Sequence, residues 1–129
     1  MSFLETVLLI HGRLATTALL FSVIMMVWSF WLYFRREELG SSYWGAAVIC
    51  ELIFVAQMIL GVLMIFSGIP VIRWVHILYG VLGLISIPAV YAFTRGRNSY
   101  REALLYALTM AFLVGVVLRA QVSAYALGG

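Results

Sequence analysis

The residues best suited to chemistry in this chain are two histidines, His11 and His76, the only ones in the sequence. A neutral imidazole binds transition metals through a ring nitrogen. Each histidine lies in a strongly apolar segment, where a polar side chain usually has a specific role. Two imidazoles in such surroundings suit the axial positions of a heme iron. Whether the rings meet depends on the elements that carry them.

Four long apolar segments make up most of the sequence. Hydrophobic residues account for 65% of the 129 residues and charged residues for 10%, which is more apolar surface than one soluble domain can bury. A helix crosses a bilayer with about 20 apolar residues, and we predict spans near 7–34, 43–67, 71–94 and 103–126. Short connections predict an all-α, integral membrane, up-down-up-down four-helix bundle, with residues 1–129 forming a single transmembrane domain.

The arginines predict the orientation of this bundle. The chain has eight arginines, no lysine and five glutamates, for a net charge of +3. The first and third connections hold most of the arginines: Arg35, Arg36, Arg95, Arg97 and Arg101. The positive-inside rule therefore predicts an inner (cytoplasmic) membrane protein with these connections in the cytoplasm and both termini outside. We also expect aromatic residues near the first connection, Tyr43 among them, to form an interfacial belt.

This topology places the two histidines at similar depth. His11 lies four residues into the first predicted span and His76 five residues into the third, which is roughly one helical turn at about 1.5 Å per residue. Both spans enter from the outer face, and the first and third helices of such a bundle often lie diagonally opposite. The sequence therefore predicts one heme b between His11 and His76 near the outer face.

Small residues accompany both histidines on their helices. A flat macrocycle between helices needs space beside each ligand, and residues one or two turns further along lie on the same helical face. The residues that we expect to provide this space are Ala15, Gly80 and Gly83.

Two arginines lie in the same layer as the histidines. Arg73 precedes His76 by three residues, and Arg119 lies near the outer end of the fourth span. An arginine within a membrane normally has an anionic partner. We therefore expect Arg73 and Arg119 to bind the heme propionates.

Other interpretations of these residues stay open. A lone transmembrane histidine often makes only a packing hydrogen bond, and small residues often mark close helix packing, as in a cofactor-free accessory or assembly subunit. Glu51, a carboxyl within the second span, would suit a small proton-coupled transporter. Each histidine could also bind a chlorophyll-type pigment singly. Gln57 is suited to an interhelical hydrogen bond.

Two sequence motifs resemble a known group of membrane proteins. The segments "HGRLA" from His11 and "HILYGVLG" from His76 resemble the four-helix heme-binding unit of heme A synthase and of small transmembrane cytochromes b. The similarity extends over most of the chain. It implies a four-helix membrane bundle with a single low-spin heme b, for which His11 and His76 are the ligands.

A single heme near the outer face predicts electron transfer within a respiratory or photosynthetic complex. The predicted spans leave little surface outside the membrane, so an electron-transfer subunit is favoured over an independent enzyme. We expect other membrane subunits as partners within the lipid bilayer, with a quinol or a c-type cytochrome as candidate electron partners. The excess of arginine indicates topology and not nucleic-acid binding.

Overall fold

The computed structural model describes residues 2–68 and 74–125, and the side chains of all of these except 123–125. It contains four helices: α1 (Phe3–Phe34), α2 (Ser41–Phe66), α3 (Trp74–Thr94) and α4 (Tyr100–Tyr125). The described residues form no strand. The predicted all-α, four-helix fold is confirmed. The predicted start of the third span at 71 and the predicted end of the fourth at 126 lie outside the described residues.

Three helices begin earlier than the hydrophobic pattern predicts, namely α1 at Phe3, α2 at Ser41 and α4 at Tyr100, and polar contacts lie at the start of α1 and α4. The Glu5 amide donates a hydrogen bond to Ser2 Oγ at 3.1 Å, which starts α1 close to the N-terminus. In the first turn of α4, the Glu102 carboxylate accepts hydrogen bonds from Arg97 Nε at 3.0 Å and from Ser99 Oγ. Such contacts satisfy or complement the exposed amides of a helix N-terminus.

All four helices are long and apolar enough to cross a bilayer. The most apolar windows of α2 and α3 are only 11% and 17% buried inside the bundle, whereas that of α4 is 44% buried. Large apolar side chains therefore cover the outside of the molecule, Ile24, Ile59 and Phe112 among them. Surface of this kind is stable in lipid and costly in water. The chain is a multi-pass membrane protein.

The helices pack in chain order around a ring. Contacts join α1 to α2, α2 to α3, α3 to α4, and α4 back to α1. Among the described residues, no Cα atoms of the diagonal pairs α1/α3 and α2/α4 come within 8 Å of each other. The helices that carry His11 and His76 therefore face each other across the centre of the bundle.

The two arginine-rich connections meet at one end of the bundle, which we call the arginine end. The Leu39 amide of the first connection donates a hydrogen bond to the Asn98 carbonyl of the third at 2.8 Å. The rings of Tyr33 and Tyr100 stack beside this contact with centroids 6.2 Å apart. The opposite end, towards which His11 and His76 lie, is called the histidine end.

The packed core occupies the arginine half of the bundle. Tyr43, expected in an interfacial belt, is instead fully buried, and its hydroxyl makes a 2.6 Å hydrogen bond with Ser29 Oγ. The helices are close enough here to enclose its ring, which hydropathy alone does not predict. Residues of this core that are almost inaccessible include Met25, Leu39, Tyr43, Cys50, Tyr106 and Met110.

Candidate functional site

A cavity of about 410 Å³ occupies the histidine half of the bundle. This volume falls in the range of about 300–1,000 Å³ that is usual for small-molecule and cofactor sites. All four helices contribute to the wall, which is mostly apolar. Residues of the wall include His11 and Ala15 from α1, Phe54, Gln57, Met58 and Gly61 from α2, His76, Tyr79 and Gly80 from α3, and Val117, Ala120 and Gln121 from α4.

The two histidines meet at this cavity. Their ring centroids are 6.3 Å apart, and their planes are inclined by 72° to each other. Both side chains are half-buried and line the cavity wall. Residues 65 positions apart in the sequence are thus brought together from diagonally opposite helices.

A backbone carbonyl of α4 orients His76. Its Nδ1 lies 3.0 Å from the carbonyl oxygen of Ala120. Since a carbonyl can only accept, Nδ1 carries the proton in this contact, and the lone pair of a neutral ring is then on Nε2. Histidine ligands of metals commonly donate their second ring N–H to a carbonyl in this way.

His11 lies in a different environment. Its Nδ1 is buried and has no hydrogen-bond partner among the described residues, and the same holds for Gln57 Oε1. The Gln57 side chain adjoins the His11 ring without forming a hydrogen bond to Nδ1. Both residues line the cavity, so two potentially complementary polar atoms are held there unpaired.

Space for a planar ligand is provided by some, but not all, of the small residues. Ala15 and Gly80 belong to the cavity wall, as expected. Gly61 of α2 also belongs to it, and a Cβ atom there would lie 3.9 Å from His11 Cε1. This part of α2 therefore lies in van der Waals range of the His11 ring.

Gly83 serves the packing of α3 against α2. A Cβ atom there would lie 2.9 Å from Cδ1 of Phe54, closer than side chains tolerate. Gly83 is not among the residues that line the cavity, whereas Phe54 is. The glycine thus acts on the cavity through the position of the Phe54 ring.

Of the two arginines expected near the histidines, the structure describes only Arg119. Arg73 lies outside the described residues. Arg119 is exposed on α4 and is not part of the cavity wall, although its neighbour Ala120 is. Glu51, the carboxyl proposed for a transporter, also lies outside the wall, and its buried Oε1 has no hydrogen-bond partner in the described residues.

The donor set limits the kind of metal site that is possible. In the described part of the chain, no group of three or more histidine, cysteine, aspartate or glutamate side chains could hold an ion. A bare transition metal usually takes four or more ligands from such side chains and water. Two imidazoles are better suited to a metal whose remaining ligands are supplied by a macrocycle than to a bare ion.

The contribution of α2 to the site could not be deduced from the histidines alone. Gly61 lies six residues before the predicted end of the second span, close to the depth of the histidines, and Gln57 lies one turn deeper on the same helical face. That coincidence is the signal available in the sequence. The rotation of α2 about its axis, which points this face inward, depends on the packing of the whole bundle.

Comparisons with known proteins identify no relative from which a function could be inferred. No protein family, curated protein or solved structure matches this chain.

Proposed function

We propose that the protein is a membrane-embedded b-type cytochrome subunit that binds one heme b through His11 and His76. We place it in the inner membrane, with both termini and the histidine end on the outer side. The observation that carries this proposal is the meeting of the chain's two histidines, 6.3 Å apart, at a 410 Å³ cavity.

The separation of the rings suits two ligands of one metal. An imidazole nitrogen lies about 2.0–2.1 Å from a metal such as zinc, so two rings on opposite sides of an ion have centroids roughly 6 Å apart. The observed 6.3 Å agrees with this value. The hydrogen bond from His76 Nδ1 to Ala120 further supports ligation through Nε2.

The surroundings also suit a large apolar cofactor. The wall is formed mainly by aliphatic, aromatic and small residues from four helices, which excludes water and allows a planar molecule to lie between them. Arg119 near the outer end of α4 remains the described candidate for a propionate partner.

His11 and His76 would hold the heme, which would supply one-electron transfer when bound. The described connections at 35–40 and 95–99 are short, so the chain offers little surface for a soluble partner. We therefore propose a role inside a respiratory or photosynthetic assembly, next to other membrane subunits. A quinol or a c-type cytochrome is the proposed electron partner.

A cofactor-free accessory subunit is the second candidate. Edge-on aromatic rings commonly pack with centroids about 4.5–7 Å apart, and the two histidine rings satisfy that geometry without a metal. In that case the histidines would contribute only to packing between helices.

An absorption spectrum distinguishes these candidates. The protein is purified in detergent from a host with ample heme and measured oxidised and dithionite-reduced, together with His11→Ala and His76→Ala. We expect a sharp reduced α band in the wild type and its loss in both variants, because a single imidazole leaves one axial position open. Thr17→Ala, an exposed change on α1, serves as the control and should keep the band.

Each alternative has its own result in this experiment. A wild type that is colourless under these conditions contradicts the heme proposal and favours the accessory subunit. A far-red band indicates a chlorophyll-type pigment. A band that persists in either histidine variant shows that the ligand assignment is wrong.

A further inference from the structure

We propose that Gln57 is a positioning residue for His11, and that its Oε1 accepts a hydrogen bond from His11 Nδ1–H when heme is bound. This inference rests on the proposed function, because it concerns how one axial ligand is held.

Two buried polar atoms of the site lack a hydrogen-bond partner in the described part of the chain. These are His11 Nδ1 and Gln57 Oε1. A buried polar atom without a partner is unfavourable, so most such atoms in proteins are paired. One of these atoms can donate and the other can accept. Each is thus a suitable partner for the other.

The geometry of α2 brings these two atoms near each other. Helix α2 passes close to the His11 ring at Gly61, where a Cβ atom would lie 3.9 Å from Cε1, the ring carbon between Nδ1 and Nε2. Gln57 lies one turn before Gly61 on the same face of α2, and its side chain adjoins the ring. The two side chains are therefore neighbours at the wall of the same cavity.

His76 of the same site is already held by a hydrogen bond from its Nδ1. Its Nδ1 donates to the Ala120 carbonyl, which leaves Nε2 as the ligand nitrogen. A bond from His11 Nδ1 to Gln57 would select the same tautomer for the second ring. The two ligands would then be held by equivalent contacts, one from α4 and one from α2.

A hydrogen bond from His11 Nδ1 to Gln57 would lower the midpoint potential of the heme. A hydrogen bond from Nδ1–H increases the basicity of the ligating nitrogen, which stabilises the ferric state more than the ferrous state. Loss of such outer contacts typically weakens metal binding about 10–100-fold. If a tenfold loss affects only the ferric form, the midpoint potential rises by about 59 mV.

The test compares Gln57→Leu and Gln57→Glu with the wild type by heme titration and by redox potentiometry. We expect Gln57→Leu to bind ferric heme about 10–100-fold more weakly and to have a higher midpoint potential. Gln57→Glu keeps an acceptor oxygen, so its affinity should stay near that of the wild type and its midpoint at or below the wild-type value. Glu51→Gln, on the same helix but outside the cavity wall, should change neither quantity.

The outcomes separate this inference from the proposed function. A wild type that binds no heme contradicts both. A wild type that binds heme, with a Gln57→Leu variant of unchanged affinity and midpoint, overturns only the role of Gln57. If Gln57→Leu does not fold, a Gln57→Glu midpoint above the wild-type value overturns the inference instead.

Discussion

At the residue scale, the sequence identifies His11, His76, Ala15 and Gly80 as residues of the site but not how the histidine rings are held, while Gly83 and Arg119 lie outside the cavity wall. The depth of His11 and His76 follows from the topology, and the two rings do meet at the cavity. The orientation of His76 depends on the Ala120 carbonyl, and that of His11 on Gln57 in our proposal. A backbone carbonyl leaves no residue pattern, and the rotation of α2 depends on the packing of the whole bundle, so these contacts could not be predicted from the two histidines.

The hydrogen bond between Tyr43 and Ser29, outside the site, should contribute to the free energy of unfolding. Its hydroxyl bonds to Ser29 Oγ at 2.6 Å in the buried core, while Ser29 also donates to the Met25 carbonyl at 2.7 Å. We expect Tyr43→Phe to lower the free energy of unfolding by about 0.6 kcal/mol and by no more than about 1.7 kcal/mol, as for other hydrogen bonds between membrane helices. Reversible unfolding in mixed detergent–SDS micelles measures this difference.

The matched control for that change is Tyr91→Phe. Tyr91 is 52% exposed on α3, so loss of its hydroxyl should alter the free energy of unfolding very little. Equal destabilisation by both substitutions would contradict the role given to the Ser29–Tyr43 bond. Unchanged stability in Tyr43→Phe would show that the bond contributes nothing net.

At the element scale, hydrophobic length predicts the number of helices, while local polar contacts determine where they begin. Ser2 extends α1, and the contacts of Glu102 with Arg97 and Ser99 extend α4 into a segment that is polar enough to resemble a loop. Hydropathy does not register these contacts, because they join polar groups and bury little apolar surface. Of the three, the Ser2 contact satisfies a backbone amide.

The crossing of α2 and α3 depends on Gly83. A methyl group there would lie 2.9 Å from Phe54 Cδ1 and 3.0 Å from Cε1, so Gly83→Ala must move either the ring or the helix. We expect a loss of about 1–3 kcal/mol in the free energy of unfolding, as for other overpacked interiors, and weaker heme binding because Phe54 lines the cavity. Unfolding in mixed micelles and heme titration measure the two effects.

Gly115→Ala is the control for this crossing. No atom lies within 4 Å of a Cβ built at Gly115, which is exposed on α4. This change should leave stability equal to or slightly above that of the wild type, because alanine is favoured over glycine in helices. If Gly83→Ala behaves in the same way, the interpretation of Gly83 as a packing glycine is wrong.

At the scale of the whole molecule, the two halves of the bundle differ in how they are filled. The arginine half contains the packed core around Tyr43 and Tyr106, whereas the histidine half contains the 410 Å³ cavity. Protein interiors are normally close-packed, and unfilled space costs stability. We therefore propose that the cavity beside the two histidines holds a ligand.

The proposed orientation of the bundle can be tested by labelling. Cys50 is buried, and replacing it with serine would give a cysteine-free background in which Ser67→Cys and Asn98→Cys are introduced singly. Both positions are exposed, Ser67 after α2 at the histidine end and Asn98 at the arginine end. Because arginine-rich connections stay in the cytoplasm, we expect an impermeant maleimide to label Ser67→Cys in intact spheroplasts and Asn98→Cys only after lysis. The reverse pattern would place the histidines near the cytoplasmic face and contradict electron exchange on the outer side, while leaving the heme proposal itself intact.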